Sequence, residues 1–381
     1  FMKKLITLNC PHWILATPLN DRQQEAVEHT GSPLLVTAGP GSGKTRVITE
    51  RIKFLVLNGM KPSQILCLTF SDNAAESIRK KLEDDEDIIA MKTDVASMRI
   101  STYHSFCRDI LLENTVSTGI GMHGGIIERA TLLVWGVKNI DSFGFDRHIE
   151  IGNNANEIIE KMMDGISTFN DELLMPKDIE DYVAKKISGV DPVRDIEEYE
   201  RIHNLDNLRK MFEKYVEFKR SIDAMDFDDL IVETNRLLAD PEKKHVLEKM
   251  RGTFGHILVD EFQDNNYAQF ALVKKLEMDG NVSAVGDPDQ NIYRFQGSYT
   301  EIFEDFEQTY PGCKKVFLTK NYRNPQDVID FASEVIGADT YRTAPSEPYE
   351  SENSMDSKVN VVQCPSELVQ AEFVKNKIAE L

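Results

Sequence analysis

The stretch LLVTAGPGSGKTRVITERI, from Leu34 to Ile52, constrains the fold more than any other part of the chain. Leu34, Leu35 and Val36 form a short apolar run that predicts a buried strand. Gly39-Pro40-Gly41-Ser42-Gly43 then breaks regular structure. From Lys44 onward, Val47, Ile48, Ile52 and Leu55 recur at helical spacing, so a helix is expected there. Strand, glycine loop and helix in that order make a phosphate cradle. Glycines let successive N–H groups turn inward on an anion, and the helix N-terminus adds partial positive charge. Lys44 can reach the β- and γ-phosphates, and the Thr45 hydroxyl can ligate Mg²⁺. Ala38 stands where G-x-x-x-x-G-K-[ST] has its first glycine, so the form here is A-x-x-x-x-G-K-T. The candidate nucleotide-binding set is therefore Ala38, Gly39, Pro40, Gly41, Ser42, Gly43, Lys44, Thr45 and Arg46. A loop of this kind points to a nucleoside triphosphate and says nothing of its use.

A second signal is HILVDEFQD, His256 to Asp264, an apolar-leaning run that ends in an acidic pair. Open α/β sheets place their chemistry at the carboxyl ends of their strands. Asp260 there would hold Mg²⁺ through its water shell, and Glu261 would orient or deprotonate an attacking water. The segment between Lys44 and Asp260 is far longer than alternating strands and single helices need. Strand-like runs at 65–70 and 98–103 continue the sheet. From about Arg108 to Met225 the sequence reads helical and acidic, with apolar residues at i, i+3 and i+4 in EIIEKMMDGI, IEDYVAKKI and LRKMFEKYVEFKRSI. A helical subdomain is thus expected inside one nucleotide-binding domain. DFDDLI marks the return, with Asp226 or Asp228 as N-cap.

Composition narrows the function classes. The chain of 381 residues is 41% hydrophobic and 28% charged, with no apolar run of membrane-spanning length. Met2-Lys3-Lys4-Leu5 opens like a secretory leader, but Asn9, Pro11, His12 and Asn20 interrupt any apolar core, and Phe1 reads as an added residue. The five cysteines, Cys10, Cys67, Cys107, Cys313 and Cys364, are scattered and lack a C-x-x-C pair, which suits reduced thiols in a cytoplasmic protein. The net charge of −20 argues against general polyanion binding, so any nucleic-acid site must be a local groove.

With the flanking stretches added, the chain resembles the superfamily 1 helicases of the UvrD/PcrA/Rep family. LNDRQQEAV (19–27) resembles the family's Q motif. LTFSDNAAESI (68–78), STYHSFC (101–107), ILVDEFQDNN, VGDPDQNIYRFQGS (285–298) and LTKNYRNP (318–325) resemble the motifs that follow, in the family's order. The resemblance implies an α/β fold: a RecA-like P-loop domain with a parallel sheet over residues 1–107 and 226–315. It also implies an inserted all-helical subdomain at 108–225 and the start of a second RecA-like domain at 316–381. ATP and Mg²⁺ are the implied cofactors, with Lys44, Asp260, Glu261, Gln290 and Arg323 catalytic and Thr45 and Asp260 on the metal. Gln23 would read adenine and Tyr322 would stack on it. Arg323 would act as an arginine finger, and Gln290 would sense the γ-phosphate. Phe70, Tyr103, His104, Tyr293 and Phe295 would offer planar faces to unpaired bases.

The implied activity is an ATP-driven 3′→5′ translocase on single-stranded DNA and strand junctions, working as a monomer with repair-protein partners. A non-motor P-loop switch and an accessory DNA-binding subunit are the competing readings. Three departures from the family pattern stand out. Asp72-Asn73 replaces Asn-Lys, removing a cation. Gln296 follows Phe295 where the family has Trp-Arg. Nothing resembles the family's last two motifs, so a truncated second domain that binds ATP weakly and unwinds poorly is expected.

Overall fold

The computed structural model describes residues 18–115, 125–145, 154–291, 301–337, 347–355 and 357–380. These divide into two compact units, the first holding Lys44–Leu318 and the chain up to Ala38, the second Gly39–Gly43 and Thr319–Leu381.

The first unit is built on a parallel sheet of six described strands: β1 (Leu34–Ala38), β2 (Ile65–Thr69), β3 (Arg99–Thr102), β4 (His256–Val259), β5 (Val282–Gly286) and β6 (Lys314–Leu318). Their spatial order is β3-β2-β4-β5-β1-β6, and every neighbouring pair runs parallel. β1, β2, β4 and β5 are buried along their whole length. That matches their uninterrupted apolar sequences, since helices cover both faces of a parallel sheet. On one face lie α1 (Asp21–Glu28), α2 (Lys44–Leu57), α3 (Asp72–Glu83) and α4 (Glu86–Ala90), whose Val27, Ile48, Ile78 and Ile88 share a core with the strands. The other face is covered by α5 (Tyr103–Glu113), with further helices that follow the insertion.

The insertion comprises α6 (Arg129–Asn139), α7 (Ala155–Asp171), α8 (Pro176–Ile187) and α9 (Ile196–Ser221). It carries its own core of Leu132, Ile159, Met163, Ile166, Met211 and Phe212. The chain leaves and returns side by side: Ile127 N–H donates to the Met225 carbonyl at 2.8 Å, and Met225 N–H to the Gly125 carbonyl at 3.2 Å. The insertion expected from residue 108 does not start there, because that residue lies within α5. Phe106, Cys107, Ile110 and Leu111 of α5 pack in the sheet-side core, so the junction falls at Gly125 and Met225. Similarly, β6 continues the sheet to Leu318, past the expected limit at 315.

After the junction come α10 (Phe227–Ala239), α11 (Lys244–Thr253), α12 (Tyr267–Leu276) and α13 (Ile302–Thr309). Asp226, not Asp228, caps α10: its side chain accepts from Asp229 N–H, and Asp229 reciprocates toward Asp226 N–H. Lys219 of α9, 3% exposed, pairs with both Asp226 and Asp229 at 2.7 Å. A buried ion triad therefore fastens the exit of the insertion to the start of α10.

The second unit contains the parallel pair β7 (Lys320–Asn321) and β8 (Glu350–Ser351), with α14 (Gln326–Gly337) and α15 (Glu367–Glu380). α15 buries none of its residues. Among the described residues no helix is long and apolar enough to cross a membrane.

Candidate nucleotide site

Because the strands are parallel, their carboxyl ends share one edge of the sheet. β1 ends there at Ala38, fully buried, and α2 starts with Lys44 and Thr45. β4 ends there and hands on to Asp260 and Glu261. β5 ends there and hands on to Asp287 and the short turn Pro288–Gln290. In order across the sheet, β4, β5 and β1 are neighbours, so residues far apart in the chain are delivered to one place.

Lys44 Nζ lies 3.4 Å from a Glu261 carboxylate oxygen. Asp260 is 4% exposed. Its N–H donates to the Leu68 carbonyl at 2.9 Å, and its Oδ1 accepts from Glu261 N–H at 3.0 Å. Burial first, then the charge of Glu261, pushes its carboxyl up to about 7, with Lys44 opposing. Asp264, one turn further, is pushed up to about 6 by burial and by Glu261. Anions crowded this way call for a cation. Among the described residues no three His, Cys, Asp or Glu side chains converge as a protein-only metal cage. Mg²⁺ typically takes one or two protein oxygens together with substrate phosphates and water. The buried, hard Asp260 carboxylate and the Thr45 hydroxyl at the start of α2 fit that mode.

Glu261 has φ of +47°, a left-handed conformation that costs a non-glycine residue roughly 1–3 kcal/mol and clusters at functional sites. The turn aims its carboxylate toward Lys44. Gln263, within DEFQD but not among the expected site residues, is 3% exposed. Its amide Nε2 donates to Glu261 Oε2 at 2.9 Å, and its Oε1 accepts from Asp287 N–H at 2.8 Å. Asp287, 1% exposed, accepts in turn from Gln290 Nε2 at 2.6 Å. Lys44, Glu261, Gln263, Asp287 and Gln290 thus form one polar chain along the strand ends.

Gln23 is 1% exposed and sits in the first turn of α1. Its N–H donates to Asn20 Oδ1 at 2.8 Å, and its Oε1 accepts from Asn20 N–H at 3.2 Å. The cap uses only one lone pair of Oε1 and leaves the Nε2 donors outside it. Arg46 lies in the first turn of α2, where its carbonyl accepts from Thr49.

Within the second unit, Ser42 Oγ donates to the Gly39 carbonyl at 2.6 Å. Asn321 Nδ2 donates to the Pro40 carbonyl at 2.6 Å, and Tyr322 N–H to the Gly41 carbonyl at 2.9 Å. Gly41 has φ of +75°, and a Cβ there would meet Asn321 Oδ1 at 2.6 Å. Glycine is thus needed for both conformation and closeness. Arg323 is exposed, and its N–H donates to Asn321 Oδ1 at 2.9 Å. Tyr322 is 45% exposed.

The residues expected to contact bases divide. Phe70, just past β2, is 41% exposed. His104 is partly buried, its ring edge-on to Phe227 at 6.0 Å. Burial holds it below the usual imidazole range, against the raising charges of Asp228 and Asp72. Phe70 and His104 line one cavity of about 200 Å³ with Asn170 and Asp171 of the insertion and Asp264. Tyr103 does not join them. It is 2% exposed in the sheet-side core, and its hydroxyl accepts from Asn265 Nδ2 at 2.8 Å. The expected stacking by Tyr103 is corrected: the first residue of α5 points inward because α5 must bury one stripe against the sheet. Tyr293 and Phe295 lie outside the described residues. Phe227, the neighbour of the His104 ring, is 55% exposed. In sequence nothing distinguishes it from a core aromatic opening a helix.

A glycine loop feeding Lys44 and Thr45 from one strand, with an acidic pair at the end of another in the same parallel sheet, defines a RecA-like P-loop α/β protein. Comparison with known proteins is more specific. Residues 19–311 match the family described as UvrD/REP helicase N-terminal domain, and the chain belongs to that family. It is 35% identical over 338 residues to ATP-dependent DNA helicase UvrD1 of Mycobacterium leprae, covering 84% of this chain and 39% of that protein. It is 32% identical over 377 residues to ATP-dependent DNA helicase PcrA of Bacillus subtilis, covering 96% and 46%. A probable DNA helicase II homolog of Mycoplasma capricolum is 29% identical over 368 residues, covering 95% and 46%. The chain spans less than half the length of these relatives.

Proposed function

We propose that this chain binds and hydrolyses ATP with Mg²⁺ as part of a DNA helicase that moves 3′→5′ on single-stranded DNA. The carrying observation is the 3.4 Å approach of Lys44 to Glu261, with Asp260 buried beside it at the end of β4. In this reading Lys44 holds the terminal phosphates, and the Gly39–Gly43 amides surround them. Mg²⁺, held by Thr45 and Asp260, supplies charge neutralisation when bound. Glu261 orients the attacking water and takes its proton. Gln290 contacts the terminal phosphate, Arg323 adds the finger charge, and Tyr322 stacks on the adenine. Phe70 and His104 hold unpaired bases. Motion requires that ATP favour one arrangement of the DNA contacts over another, since equal affinity for both shifts nothing. Strand junctions are the substrate in DNA repair, and repair proteins the expected partners of a monomeric motor in the cytoplasm.

Phosphate release with and without poly-dT tests this. The unaltered chain should hydrolyse ATP faster with poly-dT, and Lys44→Ala and Glu261→Gln should each lose at least a hundredfold. Equal phosphate release by all three proteins, with or without poly-dT, would refute the motor.

A further inference from the structure

We infer that Gln263 is a positioning residue for hydrolysis, fixing Glu261 and tying it to the Asp287–Gln290 turn. The inference rests on Glu261 being the water-orienting group proposed above. Glu261 sits in a left-handed turn between strand and helix, where no regular ladder fixes its side chain. Its contact with Lys44, at 3.4 Å, is long for a hydrogen bond. The shorter contact is the one from Gln263, at 2.9 Å. A carboxamide donates and accepts at once, and Gln263 uses both ends: Nε2 toward Glu261, Oε1 toward the backbone of Asp287. A carboxylate of the same length could accept but, ionised, could not donate. The fold also makes room for it. A Cβ at Gly286 would lie 2.6 Å from Gln263 Oε1, so only glycine at the end of β5 lets the amide lie against the strand. Asp287, held by that bond, in turn anchors Gln290. Gln263 therefore makes the geometry of the water-orienting carboxylate depend on that of the phosphate-sensing turn, across two neighbouring strands.

A misplacement of about 1 Å in such a group costs on the order of a hundredfold in rate. Gln263→Met should lower kcat about ten- to a hundredfold while KM for ATP, and the Kd for a fluorescent ATP analogue, stay within about threefold. Gln263→Glu keeps the acceptor for Asp287 but presents an oxygen to Glu261; it should lose kcat similarly. A Cβ at Gly286 would also come within 3.0 and 3.1 Å of the Phe262 and Gln263 backbone nitrogens, so the unchanged Kd of Gln263→Met for the ATP analogue, with its far-UV circular dichroism, is what guards against a folding defect at position 263. In a Glu261→Gln background, Gln263→Met should cost less than twofold more. Without nucleotide, amide exchange at Asp287 should quicken in Gln263→Met and not in Gln263→Glu. Normal turnover in Gln263→Met, or losses that multiply fully with Glu261→Gln, would overturn the inference alone. No hydrolysis by the unaltered chain would overturn the functional reading, and this inference with it.

Discussion

Replacing Lys219 with methionine isolates the ion triad that fastens the helical insertion. The ammonium is 3% exposed and lies 2.7 Å from both Asp226 and Asp229. Tyr215 also donates to Asp226 at 2.5 Å, and Lys219 sits 4.1 Å over the Tyr215 ring. Methionine fills similar volume, so the loss is electrostatic. It leaves two buried carboxylates facing each other, and uncovering one buried charge costs about 3–5 kcal/mol. The loss should sit at the upper end of that range near pH 7.5, measured by urea unfolding followed by far-UV circular dichroism.

The pH dependence has a definite sign. Burial raises the Asp226 carboxyl, but the Lys219 charge outweighs it and holds the group below its ordinary value. A depressed carboxyl contributes stability above its unfolded pKa, and that contribution is lost as pH falls through the folded value. Asp229 is already pushed up to about 6, by burial and then by Asp226. Without Lys219 both carboxyls are raised, so the penalty is absent below about pH 4 and grows as pH rises. The gap between wild type and Lys219→Met should therefore be widest near pH 8 and close toward pH 4. Adding Asp229→Asn should recover part of it. A difference under about 1 kcal/mol at pH 7.5, or one that widens on acidification, would refute the reasoning.

Other outcomes follow from single contacts. Phe70→Ala should weaken poly-dT binding by about 1–3 kcal/mol in a fluorescence titration. Tyr103→Phe should leave that binding unchanged but cost about 1 kcal/mol of stability, because Asn265 loses its acceptor. His256, in hydrogen-bond contact with Ser283 Oγ at 2.9 Å, is held down at about 3 by burial, then by Arg51 and His29. The unfolded chain takes up a proton near pH 6.5 that the folded chain refuses. Stability should thus fall by about 1.4 kcal/mol per pH unit below pH 6 from this group, and His256→Gln should flatten that slope in urea titrations across pH 4–7.

Local sequence was enough for the glycine cradle, the helix at Lys44, the acidic strand end and the helical excursion, because each is written in adjacent residues. Apolar runs made buried strands, and Gly41 stands where a side chain cannot. The order of the motifs identified the family before any coordinate was needed. Tertiary structure alone decided which aromatics are buried and which are exposed. Phe70 and Tyr103 each follow a strand, yet one is exposed and the other buried, since burial depends on the helix packed above rather than on neighbours in sequence. It also decided the hydrogen-bond partners of Gln263, since Glu261 and Asp287 follow different strands. Only the order β4-β5-β1 brings Lys44, Glu261 and Asp287 together. Strand order is a property of long-range packing, which no window of sequence contains.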